Sequence, residues 1–256
     1  MYLKFLSLVL ICAIAVISSS CDAQFVPKNT LEESNIKEDV SKIVEQRFNA
    51  DSLEKPFLTE ELVFNEEGNL TSKKGIKEEK VLYLDKYSYD AEGRCKSSKF
   101  YMPEDVLNWE YTYEYDSSSY TVLSRSYRGW FAPDGSDINK RTYSFDRNKV
   151  LIELVEEDMH NGTKRKYEYS MDAKTRKRTI QIFTTQLSSD NKKLKRLGES
   201  VEVLDSLGNT IESSGVNNSQ PETYMYKYDK QGNWIEKQFF KKGKLAMIYK
   251  RTITYR

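Results

Sequence analysis

One short unit, written over and over, constrains this chain more than anything else in it. Past Pro56 the sequence keeps returning to alternating aromatic residues, an Asp, two variable residues and a Gly, then a small or basic residue and a second strand-like run. The clearest copies are Tyr87-Ser88-Tyr89-Asp90-Ala91-Glu92-Gly93-Arg94 and Tyr226-Lys227-Tyr228-Asp229-Lys230-Gln231-Gly232-Asn233-Trp234. Val63 to Asn69 and Val201 to Asn209 are degenerate copies, while Tyr113 to Asp116, Tyr143 to Asp146 and Tyr167 to Asp172 keep the strand and the Asp but lose the Gly. The Asn/Asp positions 65, 90, 116, 146, 172, 205 and 229 stand 25, 26, 30, 26, 33 and 24 residues apart, a spacing that marks a repeat array.

The unit has a physical reading. An Asp opening a type I turn accepts hydrogen bonds from amides further along, and a Gly three residues later takes the left-handed conformation, so Asp90, Gly93, Asp229 and Gly232 are turn-forming residues. This is the hairpin loop closed by a glycine bulge. Alternation such as Tyr224, Tyr226, Tyr228 puts three rings on one face. About 27 residues hold two strands and two turns. The expected fold is therefore all-β: an antiparallel meander of about 12 to 14 strands built from hairpin repeats, which must curl, split into layers or close.

With those residues in view, the chain resembles the YD-repeat (RHS-like) family, whose unit reads Tyr-x-Tyr-Asp-x-x-Gly-Arg followed by an apolar residue. Tyr87 to Arg94 matches it most closely, and Tyr226 to Trp234 follows with Asn233 at the Arg position. The similarity spans about residues 57–256. It implies a β-repeat scaffold and a secreted or cell-envelope location, and it carries over no catalytic residue.

Two further segments precede the repeats. Met1 to Lys4 is a short charged start, Phe5 to Ile17 a thirteen-residue apolar stretch, and Ser18 to Ala23 a polar end. Thirteen apolar residues are too few to span a bilayer and suit a signal peptide. Cleavage after Ala23 gives a signal peptide over 1–23. Cleavage before Cys21 gives 1–20 and leaves Cys21 lipidated, although Ser18 stands where a lipobox has Leu. Residues 24–56 then form a linker and an amphipathic helix from Thr30 to about Leu53: Thr30 and Glu33 make a capping box, and Ile36, Val40, Ile43, Val44 and Phe48 form one apolar stripe.

Composition narrows the chemistry. With 40 basic and 39 acidic residues the chain lacks the basic excess of a nucleic-acid binder. The charge is uneven: Gln24 to Glu67 has five basic and eleven acidic residues, Lys164 to Arg196 eleven and three. The second segment reads either as a solvated hairpin face or as a patch for an anionic glycan, a headgroup or an acidic partner, with Lys192 and Lys193 as candidate binding residues. The only histidine, His160, sits in a turn-like Asp158-Met159-His160-Asn161-Gly162, a poor place for a held base. Zinc-type ligands are too few for a metal site, Glu156 to Asp158 reads as a solvated acidic turn, Cys95 as a small strand residue, and no phosphate loop, dinucleotide fingerprint or redox pair occurs. No catalytic, metal or cofactor residue is expected. Trp109, Trp130 and Trp234 with the many tyrosines read as core, with Trp130 and Arg128, in the loop Tyr127 to Pro133, as the exposed exception.

The sequence thus points to an exported envelope protein, periplasmic or at the outer membrane or cell surface, acting as a non-catalytic binding or structural module for a glycan, lipid or protein. It would touch the membrane only through a lipid on Cys21. A periplasmic carrier of an apolar ligand is the alternative, and an uncharacterised hydrolase the third.

Overall fold

The computed structural model describes residues 36–37, 39–127, 137–148, 150–186, 194–215 and 220–256. Among these, sixteen strands close into one antiparallel barrel in which every strand pairs with its neighbours in sequence and the first pairs with the last. Eight run one way: β1 (Val40–Asn49), β3 (Leu70–Lys77), β5 (Cys95–Met102), β7 (Ser119–Ser126), β9 (Leu151–Asp158), β11 (Lys177–Gln186), β13 (Thr210–Ser214) and β15 (Trp234–Lys241). The other eight return: β2 (Leu58–Phe64), β4 (Lys80–Tyr89), β6 (Val106–Tyr115), β8 (Asp137–Phe145), β10 (Thr163–Asp172), β12 (Lys195–Leu204), β14 (Glu222–Tyr228) and β16 (Lys244–Tyr255). One 3-10 turn, Pro103–Asp105, joins β5 to β6.

The all-β, hairpin-built architecture is as the repeats require. The strand count and closure differ from the expected 12 to 14 strands in a curled or layered sheet. Closure removes both edges of the sheet among the described residues. It depends on β1, which contradicts the expected helix. From Val40 to Asn49 the chain is a strand paired with β16 on one side and β2 on the other. The apolar stripe misled because a bulge between Val40 and Lys42 resets the alternation. Val40 and Ile43, three apart, therefore both turn inward and are fully buried. The residues before Ile36 lie outside the described ones.

The tetrads sit at hairpin tips, all seven at the same end of the barrel. Each follows a returning strand, because one period is one strand out and one strand back. At Asp90, Asp205 and Asp229 the same set recurs. The Asp amide donates to the carbonyl four residues on, the Gly amide returns to the Asp carbonyl, and two further amides donate to Oδ1. Gly93, Gly208 and Gly232 have φ of 76°, 84° and 84°, where a side chain would be strained. Asn65 substitutes for Asp with Gly68 at φ 78° and its Oδ1 receiving the Asn69 amide. Asp146 keeps the amide cradle without a glycine, through Asn148 and Val150. We call this end the tetrad rim; β1 begins there and β16 ends there.

Candidate functional site: the barrel interior and its rim

Register partners share a face, and one face is screened from water strand after strand. Counting back from each tetrad, the first, third and fifth residues of a returning strand point into the barrel. The first and third are almost all rings or aliphatics: Leu62 and Phe64 on β2, Tyr87 and Tyr89 on β4, Tyr113 and Tyr115 on β6, Tyr143 and Phe145 on β8. Tyr169 on β10, Tyr226 and Tyr228 on β14, and Ile253 and Tyr255 on β16 continue the pattern. Two apolar clusters result. Ile36, Val40, Ile43, Phe64 and Leu70 pack at the seam, and Val122, Tyr143 and Leu154 pack with the rings of β6 to β10. Tyr120 and Tyr143 stack with centroids 4.6 Å apart.

The fifth position is different. It holds Glu60, Asp85, Tyr111 and Arg141 on β2 to β8, and Tyr167, Ser200, Tyr224 and Arg251 on β10 to β16. Here the interior is polar, and its charges are paired across strands. Arg47 lies between Glu45, 3.1 Å from its Nε, and Glu60, which its Nη2 also reaches. Glu45 is buried beside Arg251, whose Nε donates at 3.0 Å and whose guanidinium lies 3.4 Å over the Trp234 ring. Burial alone would raise the Glu45 carboxyl, but Arg251 and Arg47 together hold it below the usual carboxylate range. Glu60 also accepts from Tyr83 and lies 2.8 Å from Lys73. Asp85 on β4 makes no ion pair among the described residues, though Lys73 is its register partner across the strands. Burial pushes its pKa up to about 6, with Glu60 adding to the rise and Lys73 opposing it. Further round, Arg141 donates to Glu156 at 2.9 Å and Arg178 to Glu202 at 2.7 Å.

The outer face is the inverse. It carries Lys–Glu ladders: Lys42–Glu61–Lys74, Lys99–Glu110, Lys164–Glu157, Lys166 between Glu153 and Glu168, and Lys227–Glu236. Exposed apolar side chains such as Val63 and Met225 are scattered between them.

The residues singled out from sequence fare unevenly. Asp90, Gly93, Asp229 and Gly232 form tetrads. Arg128, Trp130, Lys192, Lys193 and Cys21 lie outside the described residues. The basic run from Lys164 is met by acids of the flanking strands β9 and β12. Glu156 and Glu157 belong to β9 rather than to a turn, and Glu156 faces inward to Arg141 and Tyr167. Cys95 is a half-buried free thiol at the start of β5. The inward charges Glu45, Arg47, Glu60 and Asp85 were missed. For Glu60 and Asp85 the signal was a charged residue at the fifth position before a tetrad, on the phase of the rings; Glu45 and Arg47, on β1, carried no such signal.

These features define, among the described residues, a closed sixteen-stranded barrel with a charged outer wall and a layered interior. No protein-family model and no curated protein matches the sequence. A porin-like protein from Bacteroides uniformis of solved structure aligns over 85% of this chain and 99% of its own, at TM-score 0.53 and 13% identity, a likeness of fold. A porin-like protein from Bacteroides vulgatus aligns over 86% and 99%, at TM-score 0.40 and 12% identity.

Proposed function

We propose that the chain is an exported, non-catalytic barrel of the cell envelope, standing in water rather than in the bilayer, and serving as a binding or structural module for a glycan, lipid or protein partner. The outer wall carries this reading. A barrel that spans a membrane shows lipid an apolar band some 25 Å tall and keeps its polar residues inside. This one bears Lys and Glu on its outer face and rings on its inner one. Lys or Arg at mid-bilayer on the lipid face costs roughly 2–4 kcal/mol each, and the Lys–Glu ladders would meet that repeatedly. The porin-like description of the Bacteroides uniformis neighbour and the YD-like unit both favour an envelope address. The polar fifth-position ring favours a polar occupant of the interior over an apolar cargo.

Fractionation tests it. The full chain, expressed in a Gram-negative host, is expected to leave the cytoplasm and lose its leader, read by mass spectrometry of the mature N-terminus. A Cys21→Ser variant should stay monodisperse in buffer without detergent. Recovery of that variant only from membranes that resist urea extraction would overturn the water-facing reading.

A further inference from the structure

At the tetrad rim, between β4, β5 and β6, a cavity of about 550 Å³ opens onto the inner face, lined by Tyr89, Asp90, Arg94, Lys96, Tyr113 and Tyr115. That volume lies in the range of small-molecule sites, roughly 300–1,000 Å³. We propose that it binds an acidic sugar, with the Lys96 ammonium meeting the carboxylate and the tyrosine rings meeting the apolar face of the sugar. The proposal rests on the binding-module reading and gives it a site and a ligand class.

Lys96 stands six residues past Asp90, at the bulge where Tyr89 pairs with Cys95 and Ser88 with Ser97. At the same place after the other tetrads the chain has Thr71, Val122, Ile152, Ile211 and Ile235, and after Asp172 it has Arg178. Arg178 is engaged by Glu202. Lys96 is exposed and makes no ion pair among the described residues, so this copy of the unit offers a cation to solvent beside a cavity. The cavity beside Asp172 also has a lysine, Lys177, but Asp172 and Glu199 in its lining leave it net negative.

The neighbouring groups are fixed in advance. Arg94 donates through Nε to Asp90 at 2.7 Å and through Nη2 to Glu92 at 3.2 Å, and its guanidinium lies over the Tyr115 ring at 5.1 Å. The Tyr89 hydroxyl donates to the Leu70 carbonyl at 2.7 Å and the Tyr115 hydroxyl to the Cys95 carbonyl at 2.9 Å. Both rings are therefore held at each end, and little ordering is left for binding to impose. Asp90, Arg94 and Lys96 together leave the lining with one net positive charge, which suits a single carboxylate. Rings beside a cation suit a sugar acid better than a bare inorganic anion, which uses the charge and none of the aromatic surface.

The full mature chain, isotope-labelled, would be titrated with D-glucuronate, methyl glucoside and inorganic phosphate and followed by amide shifts. Glucuronate should perturb residues 89–96 and 113–115 and bind at least about tenfold tighter than methyl glucoside. Lys96→Ala should weaken it about tenfold at unchanged melting temperature, Lys96→Arg should largely restore it, and raised salt should weaken it, since the Lys96 contact is exposed. Absence of those shifts, equal binding of the neutral glycoside, or phosphate displacing glucuronate at equal affinity would each overturn the proposal. All three outcomes leave the water-facing barrel standing, because its test is the solubility of the Cys21→Ser variant.

Discussion

The hydroxyl of Tyr255 donates to the carboxylate of Asp229, twenty-six residues earlier, and Asn233 of the same bend donates back to that hydroxyl at 2.9 Å. The relationship repeats along the rim: Tyr228 reaches Asp205 and receives from Asn209 at 3.0 Å, Tyr89 reaches Leu70 and Tyr115 reaches Cys95. In these four copies the last tyrosine thus fastens the bend of the unit before it, or the residue just past that bend. In one seven-residue phrase the motif encodes both the local turn and the contact with its neighbour.

Two properties of Asp229 can therefore be separated by substitution. Its Oδ1 accepts the amides of Gln231 and Asn233, and an Asn at that place can still do so, as Asn65 does in its own bend. Asp229→Asn is expected to lose ~1 kcal/mol, the charge-assisted part of the Tyr255 bond, whereas Asp229→Ala leaves several amides unpaired and loses ~3 kcal/mol. Urea unfolding midpoints should rank wild type above Asn above Ala; equal losses would contradict the division.

Arg47 is the hinge of the seam's buried charges, between Glu45 and Glu60. Removing a buried charge while leaving its partners costs about 3–5 kcal/mol, much of it the penalty of stranded carboxylates. Arg47→Met should destabilise the barrel by that order. Arg47→Met combined with Glu60→Gln should recover part of the loss, and a double-mutant cycle reads the coupling. Additive losses would show that the two side chains do not communicate.

The tetrads were legible in the sequence because a turn is a local event whose residue types follow from backbone geometry. The path of β1 was not. Val40, Ile43, Val44 and Phe48 satisfy a helical period, and only the bulge at Lys42, a tertiary feature, lets a strand bury Val40 and Ile43 together. Closure was equally invisible, since it rests on pairing between residues about two hundred apart, as in Ile43 with Ile253. The inward Glu45, Arg47 and Glu60 looked like surface residues because their partners, one another together with Arg251, Tyr83 and Lys73, meet them only across strands of the closed barrel.

Asp85 predicts how stability changes with acid. Its carboxyl, raised from 3.8 to about 6 by burial, binds its proton more tightly folded than unfolded. Its contribution is therefore fully present below about pH 4 and is lost as pH rises through about 6. The loss above that window is roughly 3 kcal/mol. Asp85→Asn removes the charge and should raise the melting temperature at pH 7.5, with the difference from wild type shrinking towards zero at pH 4. A difference that held constant across that range would place the carboxylate in a solvated setting.

Gly75 faces the barrel interior under the ring of Tyr83. A Cβ built there would lie 2.2 Å from the Tyr83 ring. An aromatic side chain covering a strand glycine restores the packing that the glycine lacks. Gly75→Ala must push Tyr83 away and break its bond to Glu60, so it is expected to destabilise by ~2–3 kcal/mol, in the range of overpacked cores. Adding Tyr83→Ala to Gly75→Ala removes the clash, so the second substitution should cost less in that background than in wild type. Equal costs in the two backgrounds, by chemical denaturation, would show that the ring does not sit on the glycine.

The turn between β3 and β4 offers a gain instead of a loss. Glu78 and Glu79 both have positive φ, 49° and 65°, the shape of a two-residue hairpin turn, yet neither is a residue that accepts it readily. The turn between β15 and β16 has the same shape with Lys242 and Gly243, at 52° and 71°. A non-glycine residue in the left-handed region costs about 1–2 kcal/mol. Part of that gain is offset by the greater freedom of glycine in the unfolded chain. Glu79→Gly should therefore stabilise the barrel by ~0.5–1 kcal/mol, and it also removes one of two adjacent like charges. Glu79→Ala, which removes the charge and keeps the Cβ, separates the two causes: if it raises the unfolding midpoint as much as Glu79→Gly does, repulsion rather than backbone strain is what the turn was carrying.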